Sequence, residues 1–110
     1  MDTRTTYREI IKRILTEYAQ LSYAYGDIQR LTVFDDDNDH YLLVIAGWDE
    51  HRVHGCIIHL DIIGGKVWIQ RDGTEDGIAL ELEAAGIPKD HIVLAFHHIK
   101  VRPHTGYAVA

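Results

Sequence analysis

A change of hydrophobic period restricts this chain more than any other feature. From Ile28 to Arg71 apolar residues recur at every second position, with three short polar interruptions. Period two marks strands whose side chains alternate between two faces. The pattern predicts strands over Ile28–Phe34, His40–Trp48, Arg52–Ile62 and Lys66–Arg71. The breaks between them are Asp35-Asp36-Asp37-Asn38, Asp49-Glu50 and Gly64-Gly65. None is long enough for the crossover that parallel strands need, so successive strands must be antiparallel neighbours in a meander. The turn at Gly64-Gly65 needs positive φ at both positions, which glycine adopts without steric cost.

The flanks follow the helical period instead. Tyr7, Ile10, Ile11, Ile14, Leu15 and Tyr18 fall three and four apart, which predicts an amphipathic helix from Thr5 to Gln20. Arg4, Arg8, Lys12 and Arg13 read as its solvated face, and Glu9 precedes Arg13 in the favourable orientation. Thr3, Thr5 or Thr6 can cap this helix, and Gly26-Asp27 ends the connection after it. Beyond the meander, Asp72 or Thr74 can accept the first free amides of a second helix, with Glu75 and Asp76 in its first turn. It runs to Ala85 and buries Ile78, Leu82 and Ala85; Gly86 suits the left-handed position after its end, and Pro88 forbids continuation. Ile92–Phe96 is apolar throughout and reads as an interior strand, whereas His97–Ala110 is left undefined. The expected fold is α+β over one domain, residues 1–110. It has an N-terminal helix, a four-stranded antiparallel meander, a second helix and a final strand packed on one sheet.

The second strand carries more information than its neighbours. Tyr41, Leu43 and Ile45 lie on one face, and Leu42, Val44, Ala46 and Trp48 on the other, so both faces call for cover. Two short helices cover even one face only with difficulty, which implies a subunit interface and a homodimer. Tyr41, Trp48 and Trp68 are the candidate contacts, with Gln70 on the same strand face as Trp68. The longest apolar run, Tyr41 to Trp48, is too short to span a membrane. A lone cysteine, Cys56, and the lack of a signal peptide imply a reducing, cytoplasmic setting. The net charge of −6 is concentrated in residues 31–90 and would repel a phosphate backbone, so a protein partner is favoured over tight, direct nucleic-acid binding.

Candidate chemistry is sparse. Asp35, Asp37 and Asp39 match the start of a calcium loop, but His40 stands where that loop needs glycine and Ala46 where it needs a bidentate Glu. A charged turn accounts for them. Cys56 lies in mid-strand as a small buried hydrophobe, and Ser22, the only serine, sits in no nucleophile elbow. Gly64-Gly65 is not followed by a helix and cradles no phosphate. Eight histidines include no zinc-ligand spacing. Strict alternation places His54 and Cys56 on one face and His59 and Asp61 on the other. His59 and Asp61, joined by His97 or His98, form the one plausible metal or acid–base group. Solvent-facing polar residues explain that pattern as well, so no metal, cofactor or catalytic residue is assigned.

Several segments together resemble a known family. They are Tyr-Arg-Glu-Ile-Ile at 7–11, Leu-Thr-Glu-Tyr-Ala at 15–19, Asp-His-Tyr at 39–41 and Gly-Trp at 47–48. Gly-Cys-Ile-Ile-His-Leu-Asp-Ile at 55–62, Val-Trp-Ile-Gln-Arg-Asp-Gly-Thr-Glu at 67–75 and Ile-Pro-Lys-Asp-His-Ile-Val-Leu-Ala-Phe-His at 87–97 complete the set. The chain resembles the XisI-like proteins, the cyanobacterial controlling factors for excision of the fdxN element. The resemblance implies a small α+β accessory protein that assists a separate recombinase during heterocyst differentiation. It also implies pairing with an XisH-like protein of nuclease-like fold. Family tails tend to read Phe-His-Pro-Pro and then Glu, whereas His98, Ile99 and Lys100 stand here, which predicts a looser, more basic tail. The competing reading is a small metal-dependent enzyme using His59, Asp61 and His97.

Overall fold

The computed structural model describes residues 3–21 and 27–110, so Ser22 and Gly26 lie outside the described residues. The apolar stripe of the first segment folds as helix α1, Thr3–Ala19, and buries Tyr7, Ile11, Ile14 and Leu15. Then come β1 (Asp27–Asp35), β2 (His40–Asp49), β3 (His51–Ile63) and β4 (Lys66–Asp72), antiparallel in sequence order. Gly64 and Gly65 take φ of 59° and 79°, as a tight hairpin of mirror-image type requires. Helix α2 (Ile78–Ala84) returns the chain, and β5 (Ile92–Leu94) joins β4 in parallel, making a five-stranded mixed sheet. The parallel pairing follows from the helical crossover. Both helices pack on one face, where Tyr41, Leu43, Ile58, Leu60 and Ile69 meet the α1 stripe and Ile78 and Leu82 of α2. No described helix is long and apolar enough to cross a membrane.

The polar side of α1 is exposed at Arg4, Glu9 and Arg13, as a solvated face should be, but it is also tied to the sheet. Arg8 Nε donates to Asp39 Oδ1 and Arg4 Nε to Asp39 Oδ2, each at 2.7 Å, and Lys12 Nζ donates to Asp36 Oδ2 at 2.7 Å. The acidic turn between β1 and β2 therefore receives three of the four cations. Asp39 is only 1% exposed and sits at φ 57°, and the Tyr41 hydroxyl is 3.0 Å from its Oδ1 and 2.9 Å from Asp36 Oδ1. Burial opposes the Asp39 charge, but hydrogen bonds from Arg8, Arg4 and Tyr41 outweigh it and hold its carboxyl below the usual range. Asp35 closes the turn on itself, accepting from the amides of Asp37 and Asn38 at 3.1 Å. This is the charged turn the sequence implied, with a docking role added.

Two irregularities reset the strand faces. The β2–β3 register shifts between Leu43 and Val44, leaving Ile57 as an extra residue, so Val44 faces Cys56 while Leu42 faces His59. Directly paired residues share a face, so His54, Cys56, His59 and Asp61 all lie on the same side. The division of His54 and Cys56 from His59 and Asp61, expected from strict alternation, is overturned by this bulge. A second shift between His59 and Leu60 leaves Gln70 unpaired in β4.

The second half departs from expectation at its boundaries. Helix α2 starts at Ile78, because Gly77 at φ 88° interrupts any helix before it, so Glu75 and Asp76 precede the helix rather than opening it. Asp72 still serves the helix start from a distance, accepting from the Ile78 amide at 2.8 Å and the Thr74 amide at 3.0 Å. Gly73 lies against the Ile57 bulge, its amide donating to the Ile57 carbonyl at 2.8 Å. Past the helix, Gly86 at φ 109° and paired bonds from Gly86 to Glu83 and Ile87 to Leu82 form a Schellman end. Strand β5 stops at Leu94, where the His97 amide turns back on the Leu94 carbonyl, and Phe96 is exposed rather than interior.

Asp39→Ala leaves Arg4, Arg8 and Tyr41 without their shared acceptor. Because Arg4 stays half in water, the expected loss is about 2–4 kcal/mol, at the lower end for a broken buried pair. Asp39→Asn tolerates the left-handed backbone and costs less; urea midpoints of the three proteins rank these outcomes. Gly47 carries a separate constraint, since a Cβ there would stand 2.0 Å from the Asp27 carbonyl oxygen and 2.6 Å from Ile28 Cα. Gly47→Ala must displace β1 and is expected to cost about 1–3 kcal/mol in the same assay.

Candidate functional site

The sheet face opposite the helices is built from the alternate positions of the meander. Leu31 pairs with Val44, Val33 with Leu42, and Asp27 with Trp48, and Cys56 and His54 continue the rows on β3. Leu42, Val44 and Ala46 are half-buried, whereas Leu31, Val33 and Trp48 are 46%, 47% and 58% exposed. Arg52 lies 5.6 Å over the Trp48 ring, a contact that shields one side of the indole and keeps the cation near it. The exposed aliphatic pair Leu31 and Val33 lies along the same face as Trp48, which is flanked by Asp27 and Arg52; exposed apolar side chains of this kind are a feature that docking surfaces share.

At the other end of the same face sits a polar cluster. The ladder places His40 opposite Asp61 and Leu42 opposite His59. His40 Nδ1 is 2.7 Å and His59 Nε2 2.9 Å from the same oxygen, Asp61 Oδ1. Gln70 Nε2 donates to the other oxygen, Oδ2, at 3.2 Å. Asp61 is 6% exposed, so these three partners supply most of what water would otherwise provide. The hydrogen bond and charge of Asp61 raise the His40 imidazole above its ordinary value.

Of the candidate contacts, Tyr41 lies in the core at 0% exposure and presents nothing to a partner; its ring packs beneath α1 and its hydroxyl meets the acidic turn. Trp48 is exposed. Trp68 is covered by the C-terminal segment, with Arg102 5.6 Å over its ring, and Gln70 belongs to the Asp61 cluster. His59 and Asp61 do meet, but their third partner is His40 and not His97. His97 lies in the tail with its ring 4.6 Å from that of Phe96, and His98 accepts from the Lys100 amide. A simple hairpin about Asp49-Glu50 would set Asp61 opposite Asp39; the extra residue at Ile57 moves it opposite His40. No residue type in the sequence announces that shift. Burial pushes the Cys56 thiol up, with Arg71 partly opposing, which is the environment of an unreactive thiol.

The tail is folded, not loose. Arg102 donates to the carbonyls of His97, Val109 and Ala95 at 3.1, 3.3 and 3.4 Å, and the Ala108 amide donates to the Ile92 carbonyl at 2.9 Å. Tyr107 reaches across to α2, donating to Glu83 Oε2 at 2.6 Å, and burial together with Glu83 pushes its phenol up to about 12. One arginine, bound to three carbonyls, ties the tail together.

The family model described as XisI protein matches residues 1–109 of this chain. No curated protein matches it. Among solved structures, the chain is similar to an XisI-like protein from Anabaena variabilis ATCC 29413, determined at 1.30 Å. The identity is 34%, the TM-score is 0.89, and 97% of this chain and 99% of that one are covered. It is also similar to the fdxN element excision controlling factor XisI of the same organism, with 38% identity and a TM-score of 0.85 over 99% of this chain and all of that one.

The raised His40 value has a sign. A histidine whose folded pKa lies above its unfolded value stabilises the fold at pH below the unfolded value, and the contribution is lost as pH rises through the folded value. The stability difference between wild type and His40→Gln is therefore expected to be larger near pH 5.5 than near pH 8.5, read as paired urea midpoints at about those two values.

Proposed function

Because this chain belongs to the XisI family, we propose that it acts as a controlling factor in the excision of a DNA element, through a protein partner and without catalysis of its own. The observation that carries this reading is the likeness to the fdxN element excision controlling factor XisI over the full length of both chains. The chemistry of the surface supports the protein-partner part. Arg4, Arg8 and Lys12, which could have formed a phosphate-binding stripe, are engaged by Asp39 and Asp36. The charge elsewhere is predominantly acidic, which disfavours counterion-driven DNA binding. DNA contact then falls to another component, and an XisH-like protein of nuclease-like fold is the partner we infer, acting in heterocyst differentiation.

The same reading takes the chain as one domain that works as a cytoplasmic homodimer. The half-open face of β1, β2 and β3 supports self-association, since Leu31, Val33 and Trp48 are too apolar to be favourable in water. Trp68, another of the interface candidates, is half-buried under Arg102 and adds little to this face.

Co-purification with an XisH-like protein, followed by mass measurement, tests the central claim. A stable complex at micromolar concentration is the expected result, and its absence counts against the reading. Gel shifts across a salt series are expected to show no retention of DNA by this chain alone at physiological salt. In sedimentation analysis of the free protein, Trp48→Glu with Val33→Lys is expected to turn a dimer into a monomer. An unchanged mass would remove this face from the dimer contact.

A further inference from the structure

We propose that His40, His59 and Asp61 form a binding site for one divalent transition ion of the zinc type on the outer face of the sheet. One ligand atom from each of His40, His59 and Asp61 lies within 4.8 Å of the others, the one such group among the described residues. His40 faces Asp61 across β2 and β3, and His59 lies two residues from Asp61 on β3, so backbone pairing holds their spacing. In a tetrahedral zinc-type site, donors about 2.0–2.2 Å from the ion stand roughly 3.3 Å apart. The present nitrogen–oxygen separations are 2.7 and 2.9 Å. An opening of roughly half an ångström admits the ion. The side chains that must move are the free ones: His40 is 50% and His59 33% exposed, while Asp61 is fixed.

The donor set selects the ion. Two imidazole nitrogens and one carboxylate oxygen suit zinc, cobalt or nickel, whereas calcium and magnesium require oxygen-rich cages. Gln70 plays the orienting part: its amide holds Oδ2 of Asp61 and leaves Oδ1 directed at the two histidines. Solvent beside the half-exposed His40 supplies the fourth position, the arrangement of a three-ligand open site. At present two imidazoles share one carboxylate oxygen, and the ion takes the place of the protons between them.

Cobalt(II) titration of the untagged, chelator-treated protein tests the site, read by visible absorption and calorimetry. One equivalent with the intense bands of four-coordinate cobalt is the expected result. His40→Gln and His59→Gln each weaken binding at least about tenfold and Gln70→Leu about tenfold, whereas His98→Gln leaves it unchanged. Circular dichroism establishes that each variant is folded. Independently, zinc raises the melting temperature of wild type and leaves that of His40→Gln where it was. Absence of saturable cobalt binding below about millimolar would reduce the trio to a proton-linked network and overturn the proposal. Equal binding by wild type, His40→Gln and His59→Gln would do the same, placing the ion on other histidines.

Discussion

One buried carboxylate organises the helical side of this protein. Asp39 ends the turn between the first two strands in a left-handed conformation and accepts from two arginines one turn apart on α1. Burying a charge is costly unless it is paired and hydrogen-bonded, and here the pairing is supplied by the element that must be docked. The clamp sets where along the sheet α1 lies, and with it the insertion of Tyr7, Ile11, Ile14 and Leu15 among Tyr41, Leu43 and Leu60. Tyr41 joins the two layers, its ring in the apolar core and its hydroxyl on the acidic turn. Three of the eleven lysines and arginines of this acidic chain thus hold its own acidic turn.

The opposite face owes its character to a single extra residue. Ile57, unpaired in β3, turns its neighbours so that Cys56 and His59 face the same way despite lying three apart. The bulge creates a face with two parts, one a half-open apolar row on β1 and β2 that runs toward Trp48 and the other the carboxylate with two histidines. Gly73 presses on the same bulge, where a Cβ would come 2.9 Å from Ile57 Cγ2. Asp72 beside it reaches forward to α2. The Asp-Gly-Thr segment therefore couples the irregular strand to the second helix, a structural role that explains its residues without any catalytic one.

How much of this was legible depends on range. Periodicity revealed α1, the four meander strands and the glycine turn because each is fixed by neighbours within a few residues. The Gly86 helix end was legible for the same reason. What stayed hidden depends on partners far along the chain. Nothing local tells Arg4 and Arg8 that a carboxylate at Asp39 awaits them, so they read as solvated. Tyr41 read as an interface residue because its alternation is right but its side is set by α1. His40 escaped notice because a bulge, which no residue type specifies, brought it opposite Asp61. The tail was illegible because Arg102 orders it through carbonyls, which every sequence possesses.

The two margins of the sheet are unlike. Beyond β5 the returning tail lies alongside, with Ala108 bridged to Val93, so that margin is shielded from further strand pairing. Beyond β1 no described strand follows, and its outward amides and carbonyls have the geometry to pair with another strand. Among the described residues β1 is the one open margin, so strand pairing with a second copy can lengthen the sheet there only once. Antiparallel pairing of β1 with β1 would leave both outer margins shielded, so growth by that route ends at two chains and cannot run on into a fibre.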